Sequence, residues 1–245
     1  IATPEAALGA FTMGAAYIVT GSVNQACVEA GTSDQVKKLL AQVSMTDVAM
    51  APASDMFEMG VELQVLKRGT MFAPRAKKLY EYYVKYDSID DIPTAERLKL
   101  EKTTFQRPLK DVWQDCIAFF TERDPEQIER AQNNPKRKMA LIFRWYLGLS
   151  SNWANSGAQG RQLDYQIWCG PAMGAFNDWV RGTYLEQAKN RQAADVAEQI
   201  MQGAAYLWRV QNLRAQGVEL PLEMRRFVPR ERINKSKSEL KLQTV

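Results

Sequence analysis

The sequence predicts an α/β chain that is predominantly helical on its own. One short apolar run, residues 16–19, has the composition of a buried strand and leads into a Thr-Gly-Ser turn. Most of the remaining chain shows apolar residues at helical spacing, separated by breaks that contain Pro or Gly. A lone parallel strand leaves both edges unpaired, so we expect its neighbours to precede Ile1 and interpret the chain as a C-terminal fragment.

Two helix-start signals organise the beginning of the chain. Residues 3–5, Thr-Pro-Glu, supply a capping hydroxyl, a Pro at the first helical position and an acidic residue in the first turn. The Ala-rich segment that follows ends at Gly14. Residues 32–43 predict a second short helix, capped by Ser33 or Asp34.

Residues 51–60, "APASDMFEMG", predict another short helix. Asp55 would act as its cap, Glu58 would complete the capping pattern, and Gly60 would end it. The alternating segment "VELQV", residues 61–65, indicates a short strand.

Helical periodicity dominates the rest of the chain. The segment 135–153 carries apolar residues on most of its circumference, which predicts that it is buried. Gly170-Pro171 predicts a turn into a further helix. The predicted helices span residues 72–86, 90–102, 109–123, 125–132, 135–153 and 190–216.

Composition is that of a globular protein with a substantial core, since 46% of the 245 residues are hydrophobic and 24% are charged. The longest apolar run, residues 9–19, is too short for a membrane helix. We see no basic stretch typical of a signal peptide. We therefore expect a cytoplasmic protein without a membrane partner.

Cysteine and histidine usage excludes several kinds of site. Cys27, Cys116 and Cys169 are widely spaced without a C-x-x-C pair, which favours buried free thiols over a zinc ribbon or a disulfide framework. The chain has no histidine, so it can form neither a Ser-His-Asp triad nor a His-ligated zinc site. We predict no metal site.

Charge is concentrated at the end of the chain. The net charge is +4, and residues 225–245, with seven Lys/Arg and two Glu, carry +5 of it. A basic tail can bind nucleic acid, but it is more often a solvated terminus. We predict that residues 219–245 form a disordered basic tail and that the protein has no nucleic-acid partner.

Four features could carry chemistry. The turn of residues 20–22, Thr-Gly-Ser, could hold a phosphate on backbone N–H groups, or it could be an ordinary tight turn. The predicted helix start at residues 3–5 would also attract an anion. Asp55 and Glu58 fit a capped helix start better than a catalytic pair, and the aromatic segments fit a packed core or an interface better than a ligand pocket.

Four long segments of the chain closely resemble the PfaD family. They read "TGSVNQACVEAGTSDQVKKLL", "DVAMAPASDMFEMGVELQVLKRGTMFAPRAKKLYEYY", "KMALIFRWYLGLSSNWA" and "DYQIWCGPAMGAFNDWV". Members are flavin-dependent enoyl reductases that work with polyunsaturated fatty acid and polyketide synthases. They are related to the nitronate monooxygenase, or 2-nitropropane dioxygenase, barrels. The resemblance extends over about residues 1–218.

The resemblance implies the C-terminal end of a (β/α)8 TIM barrel followed by a mainly helical region. Residues 1–86 would be the last part of the FMN-binding barrel, with "YIVTGS" as its eighth strand and loop, and residues 87–218 the added helical region. The implied activity is an enoyl reductase that uses FMN and NADPH to saturate enoyl thioesters on an acyl carrier protein. Other components of the synthase would be further partners.

The resemblance also implies six cofactor-binding residues and leaves the catalytic residues unknown. Ala2 and Thr3 would belong to the first phosphate loop, Gly21 and Ser22 to the second, and Asn24 and Gln25 would line the site. No residue of the chain is a convincing proton donor, so we expect acid/base groups upstream and little activity from this chain alone. The alternative function is a non-catalytic helical module that docks a carrier protein or a synthase subunit.

Overall fold

Ten α-helices and one two-stranded sheet make up the described part of the computed structural model, which covers residues 1–231. The elements in chain order are α1 (Pro4–Thr12), α2 (Ser22–Gln25), α3 (Asp34–Leu40), β1 (Val48–Pro52), β2 (Glu62–Leu66), α4 (Phe72–Lys85), α5 (Thr94–Leu100), α6 (Leu109–Arg123), α7 (Pro125–Gln132), α8 (Pro135–Ser156), α9 (Ala172–Val180) and α10 (Ala193–Ala215).

The helix-start signals of the sequence are confirmed. Thr3 caps α1, and its Oγ1 accepts a hydrogen bond from the N–H of Ala6 at 3.3 Å. Ser33 caps α3 in the same way, accepting from Val36 at 3.4 Å. A side-chain oxygen at this position satisfies one of the donors that a helix start leaves free. These caps set where each helix begins.

No strand forms at residues 16–19 within residues 1–231, and because the expected strand neighbours would precede Ile1, the strand stays a prediction. This segment has no strand partner among residues 1–231 and lies as an extended coil, with 77% of Tyr17 and 70% of Val19 exposed. A strand is defined by hydrogen bonds to a neighbour, and here the nearest backbone contact is the Ile1 amino group, 3.5 Å from the carbonyl oxygen of Val19.

The sheet is an antiparallel hairpin of β1 and β2. Its register pairs Val48 with Leu66 and Pro52 with Glu62, and the strand predicted at residues 61–65 is confirmed as β2. The short helix predicted within residues 51–60, with Asp55 as its cap, is wrong: residues 51–52 belong to β1, and the Glu58 carboxylate that would complete the capping pattern is bound by Arg137 and Arg144 instead. Only one 3-10 turn, Phe57–Met59, remains, and Gly60 ends it at φ 71° as predicted.

The helix predicted at residues 90–102 is divided in the structure. Pro93 disfavours helical geometry in the residue before it, and α5 begins only at Thr94. Its end widens into a π-helical turn, Glu101–Phe105, which stops at Gln106 with φ 57°. The Glu101 carboxylate then accepts from the N–H of Leu109 at 2.7 Å and so caps the start of α6.

Two apolar clusters form the core. The first joins α1, α3, α9 and α10, and the second joins the hairpin to α4, α6 and α8. The five consecutive residues 139–143 of α8 are all buried, which confirms the predicted burial on most of its circumference. Both clusters combine residues from before and after position 86.

The first part of the predicted basic tail lies against α9 and α10. The indole N–H of Trp179 donates to the carbonyl of Phe227 at 3.1 Å, and the Gln199 carboxamide bonds to both backbone groups of Arg230. Residues 232–245, where most of the predicted disorder falls, lie outside the described residues. No helix within residues 1–231 is both long and apolar enough to cross a membrane.

Candidate functional site

The two predicted phosphate loops lie beside each other. The Ile1 amino group contacts the carbonyl of Val19, so the segments that lead into α1 and α2 are neighbours. Helix α1 is fixed against α10 at Gly203, where a Cβ atom would lie 2.5 Å from Pro4. The predicted residues Ala2 and Thr3 therefore stand on a rigid support, Ala2 buried and Thr3 half-buried as the cap of α1.

The packing of the protein does not require a glycine at position 21, in the second predicted phosphate loop. Its φ of −112° is accessible to any residue, and a Cβ atom there would meet nothing within 4 Å. It precedes α2, which has no side-chain cap, so no side chain of the capping residue occupies the N–H groups of Ser22 and Val23, while the N–H of Asn24 bonds to the Gly21 carbonyl. The loop is therefore an open backbone surface with donors available to an anion.

Hydrogen bonds hold the remaining predicted cofactor residues in place. The N–H of Gly170, at the turn into α9, donates to the Ser22 hydroxyl at 3.0 Å. Asn24 is bonded through both side-chain atoms to Thr20, at 2.9 and 3.0 Å. Gln25 donates to the carbonyl of Trp168 at 2.9 Å. The structure thus joins the predicted loop to the segment that precedes α9.

A cleft of about 610 Å³ opens next to Asn24 and Gln25. Its other walls are the end of α8 and the segment 166–168, and the side chain of Trp168 stands at it, with 54% of the residue exposed. When the Gln166 carboxamide is oriented to satisfy both neighbours, it donates to the carbonyl of Leu147 and accepts from the indole N–H of Trp168 at 3.0 Å. Trp168 is therefore fixed in position.

A buried carboxylate, Asp164, organises the chain just before this cleft. It is fully buried and accepts from the guanidinium of Arg75, from the Tyr146 hydroxyl at 2.7 Å and from Arg161 at 3.2 Å. Burial is the main cause that raises the pKa of Tyr146, and the Asp164 carboxylate adds to it. Tyr146 therefore acts as a hydrogen-bond donor and stays neutral.

Asp55 and Glu58 do not form a catalytic pair. Glu58 accepts from Arg137 at 2.7 and 2.8 Å and from Arg144 at 3.3 Å, which ties the hairpin to α8. Asp55 bonds only to the backbone of the adjacent Met56 among described residues. Their roles are structural, although the helix that they were predicted to cap is a single turn.

The cysteines are buried free thiols, as predicted. Burial raises the pKa of Cys27 to about 11 and those of Cys116 and Cys169 to about 12, so these thiols are protonated and weakly nucleophilic near neutral pH. No group of three or more metal-ligating side chains occurs among residues 1–231.

Sequence reasoning predicted Asn24 and Gln25 but missed Asp164 and the cleft residues of α8 and of the segment 166–168. The segment "YQIWCGP" is aromatic and compact, but nothing in its spacing indicates that Trp168 is exposed while Gln166, two residues before it, is buried. Asp164 lacks any sequence signal, because its three partners come from α4, from α8 and from Arg161, three residues before it.

Comparisons with known proteins agree on a biosynthetic context. Residues 86–165 match the family described as [acyl-carrier-protein] S-malonyltransferase, inserted helical domain. The chain is 53% identical over 219 residues to a polyunsaturated fatty acid synthase subunit of Thraustochytrium sp., and the match covers 87% of this chain and 15% of that protein. It is 49% identical over 207 residues to polyketide biosynthesis protein PksE of Bacillus subtilis, covering 84% of this chain and 27% of that protein.

A solved structure has the same fold. It is the enoyl reductase domain of MlnA from the macrolactin biosynthesis cluster of Bacillus amyloliquefaciens, with a TM-score of 0.83 and 40% identity over 88% of this chain and 48% of that one. The chain thus spans less than half the length of that structure and at most 27% of the two relatives above. The chain is therefore similar to a segment that occurs in polyunsaturated fatty acid synthases, in polyketide biosynthesis proteins and in an enoyl reductase domain.

Proposed function

We propose that this chain forms the last part of a (β/α)8 barrel and the adjoining helices of an enoyl reductase of the PfaD type. The enzyme would reduce enoyl thioesters on an acyl carrier protein in polyunsaturated fatty acid or polyketide biosynthesis, with FMN and NADPH. The observation that carries the proposal is the side-by-side placement of two helix-start loops, in a chain 40% identical to an enoyl reductase domain. Paired loops at the end of a barrel commonly hold a phosphate.

The residues present fit the phosphate end of FMN. Gly21 has neither a strained φ nor a crowded Cβ position, so a close approach of a ligand to its backbone is a reason for a glycine there. The Ser22 hydroxyl accepts from Gly170, which leaves its own proton free to donate to a phosphate oxygen. At the start of α1, the N–H groups of Thr3 and Glu5 would face the phosphate, since Pro4 has no N–H and those of Ala6 and Ala7 bond to Thr3.

The other predicted residues would support the loop. Asn24 is occupied by Thr20 and so fixes the turn, while Ala2 is buried beneath it. When bound, FMN would supply hydride transfer between NADPH and the enoyl thioester. The share of this chain is to bind and orient, since it offers no evident proton donor among residues 1–231.

The proposed phosphate site can be tested by placing a negative charge on the loop that contains Gly21. Gly21→Asp puts a carboxylate where the phosphate would lie, in space that the protein leaves open. In the longer protein that includes the preceding barrel strands, we expect FMN affinity to fall at least about tenfold from charge repulsion, measured by quenching of flavin fluorescence. Gly21→Asn, of the same shape without the charge, should retain most of the affinity.

Equal FMN affinity in the Asp and Asn variants would contradict the phosphate assignment. The chain of 245 residues by itself should oxidise little NADPH. Flavin absorbance together with NADPH oxidation from this chain alone would refute the division of the barrel that we propose.

A second candidate is a helical module that docks a carrier protein. The match of residues 86–165 to the inserted helical domain of an [acyl-carrier-protein] S-malonyltransferase favours it. Capture of an acyl carrier protein by the longer protein, with no flavin bound to it, would support this candidate over the reductase.

A further inference from the structure

We infer that the cleft between α8 and Trp168 binds the pantetheine arm of a carrier protein, a neutral chain of amide, hydroxyl and methyl groups. The inference deepens the proposed function, because it rests on a substrate that is carried as a thioester on such an arm. The cleft is formed by residues from three separate parts of the chain.

The lining of the cleft is polar and uncharged. No Lys, Arg, Asp or Glu contributes to it among the described residues, and its polar side chains are carboxamides and hydroxyls. A phosphate or a carboxylate would find no cation to pair with in this lining. A chain of amides and hydroxyls can exchange its hydrogen bonds with water for bonds to the lining. The polar lining residues are Asn24, Gln25, Thr32, Ser151, Asn155 and Gln166.

Three of these groups keep free hydrogen-bonding capacity. The Asn155 carboxamide, the Ser151 hydroxyl and the Gln25 carboxamide oxygen have no partner within residues 1–231. Asn155 and Ser151 are four residues apart on α8 and therefore lie on one face of the helix. They offer donors and acceptors at the spacing of one helical turn.

Trp168 supplies a preorganised apolar surface on the opposite wall. Its indole N–H is taken by Gln166 and its carbonyl by Gln25, while a backbone bridge joins it to Val65. With these polar groups already occupied, more than half of the residue still faces solvent. A fixed aromatic side chain gives contact area at little entropic cost, and it suits the branched methyl groups of the arm.

The test uses pantetheine capped as its S-methyl thioether, which cannot react with thiols. Binding to the chain is followed by saturation-transfer NMR and compared with Asn155→Leu, which keeps the size of the side chain and removes its hydrogen bonds. We expect the Kd to rise about fivefold, as for the loss of one hydrogen bond. Trp168→Ala should weaken binding at least as much.

The matched control is Asn152→Leu, a residue of the same type on α8 that is exposed outside the cleft. It should leave the Kd unchanged, and melting curves check that each variant is folded. No binding of the capped pantetheine, or equal Kd values in Asn155→Leu and Asn152→Leu, would overturn the inference.

Coenzyme A separates the arm from a nucleotide. Coenzyme A carries phosphates that the capped pantetheine lacks. If coenzyme A binds more than about tenfold tighter than the capped pantetheine, and this difference in Kd disappears at high salt, the cleft recognises phosphates. The inference that it binds the neutral pantetheine arm would then be wrong. FMN affinity and pantetheine binding, both measured on the longer protein, separate the two proposals. Pantetheine binding without FMN would leave this inference standing alone, and FMN binding without pantetheine binding would overturn only this inference.

Discussion

Replacing Asp164 by Asn should be among the most destabilising single changes in the protein. The carboxylate has no exposed surface and accepts from three donors, on Arg75, Tyr146 and Arg161. An amide of the same shape removes the negative charge and turns an NH2 group toward one of these donors. The two guanidinium groups then remain, only 18% and 16% exposed, without their counter-ion.

The magnitude follows from the geometry. Breaking a buried ion pair costs about 3–5 kcal/mol, and the residual exposure of both arginines lets water recover part of this, so we expect about 3 kcal/mol for Asp164→Asn. Tyr146→Phe removes one charge-assisted hydrogen bond while the carboxylate keeps its other partners, and should cost about 1.5 kcal/mol. The double variant should lose less than the sum, because both changes remove the same bond.

Urea denaturation of the four proteins measures these free energies, and Asp178→Asn is the matched control. Asp178 also pairs with an arginine, Arg181, but their side chains are 49% and 72% exposed, so its loss should cost less than about 0.5 kcal/mol. If Asp164→Asn costs no more than Asp178→Asn, the buried network does not hold α4 to α8. Because Asp164 lies two residues before Gln166, binding of capped pantetheine should weaken as well.

Two further predictions concern packing and pH. Gly174→Ala should lower the free energy of unfolding by about 3 kcal/mol or more in urea denaturation, because the added Cβ would overlap the backbone of Met45. Gly9→Ala is the contrasting variant: its Cβ meets open space within α1, so it should raise the free energy of unfolding by up to about 1 kcal/mol. Burial raises the pKa of Cys116 from 9.0 to about 12, so the unfolded chain loses this proton first. The free energy of unfolding should therefore fall as pH rises from 9.0 toward about 12, and Cys116→Val should flatten this slope; an unchanged slope would contradict the assignment.

The sequence predicts helix starts and ends correctly where a few adjacent residues decide them. Thr3 and Ser33 cap their helices, and the bounds of α6 and α7 match the predicted ranges 109–123 and 125–132. At residues 16–19 the composition favours a strand, but residues 1–231 supply no strand partner, so the outcome there depends on pairing that no local pattern encodes. The capping pattern of Asp55 and Glu58 predicted a helix where only the 3-10 turn Phe57–Met59 forms, since the Glu58 carboxylate binds arginines of α8 instead.

The sequence by itself determined the predominantly helical character, the helix bounds set by caps and prolines, and the burial of the three thiols. The resemblance to PfaD enzymes came from long runs of residues, which are likewise local. Only the tertiary structure decided that Ser22 meets Gly170 and that Asp164 gathers donors from separate elements. These contacts join residues up to 148 positions apart, and their energy depends on burial and geometry that no local pattern encodes.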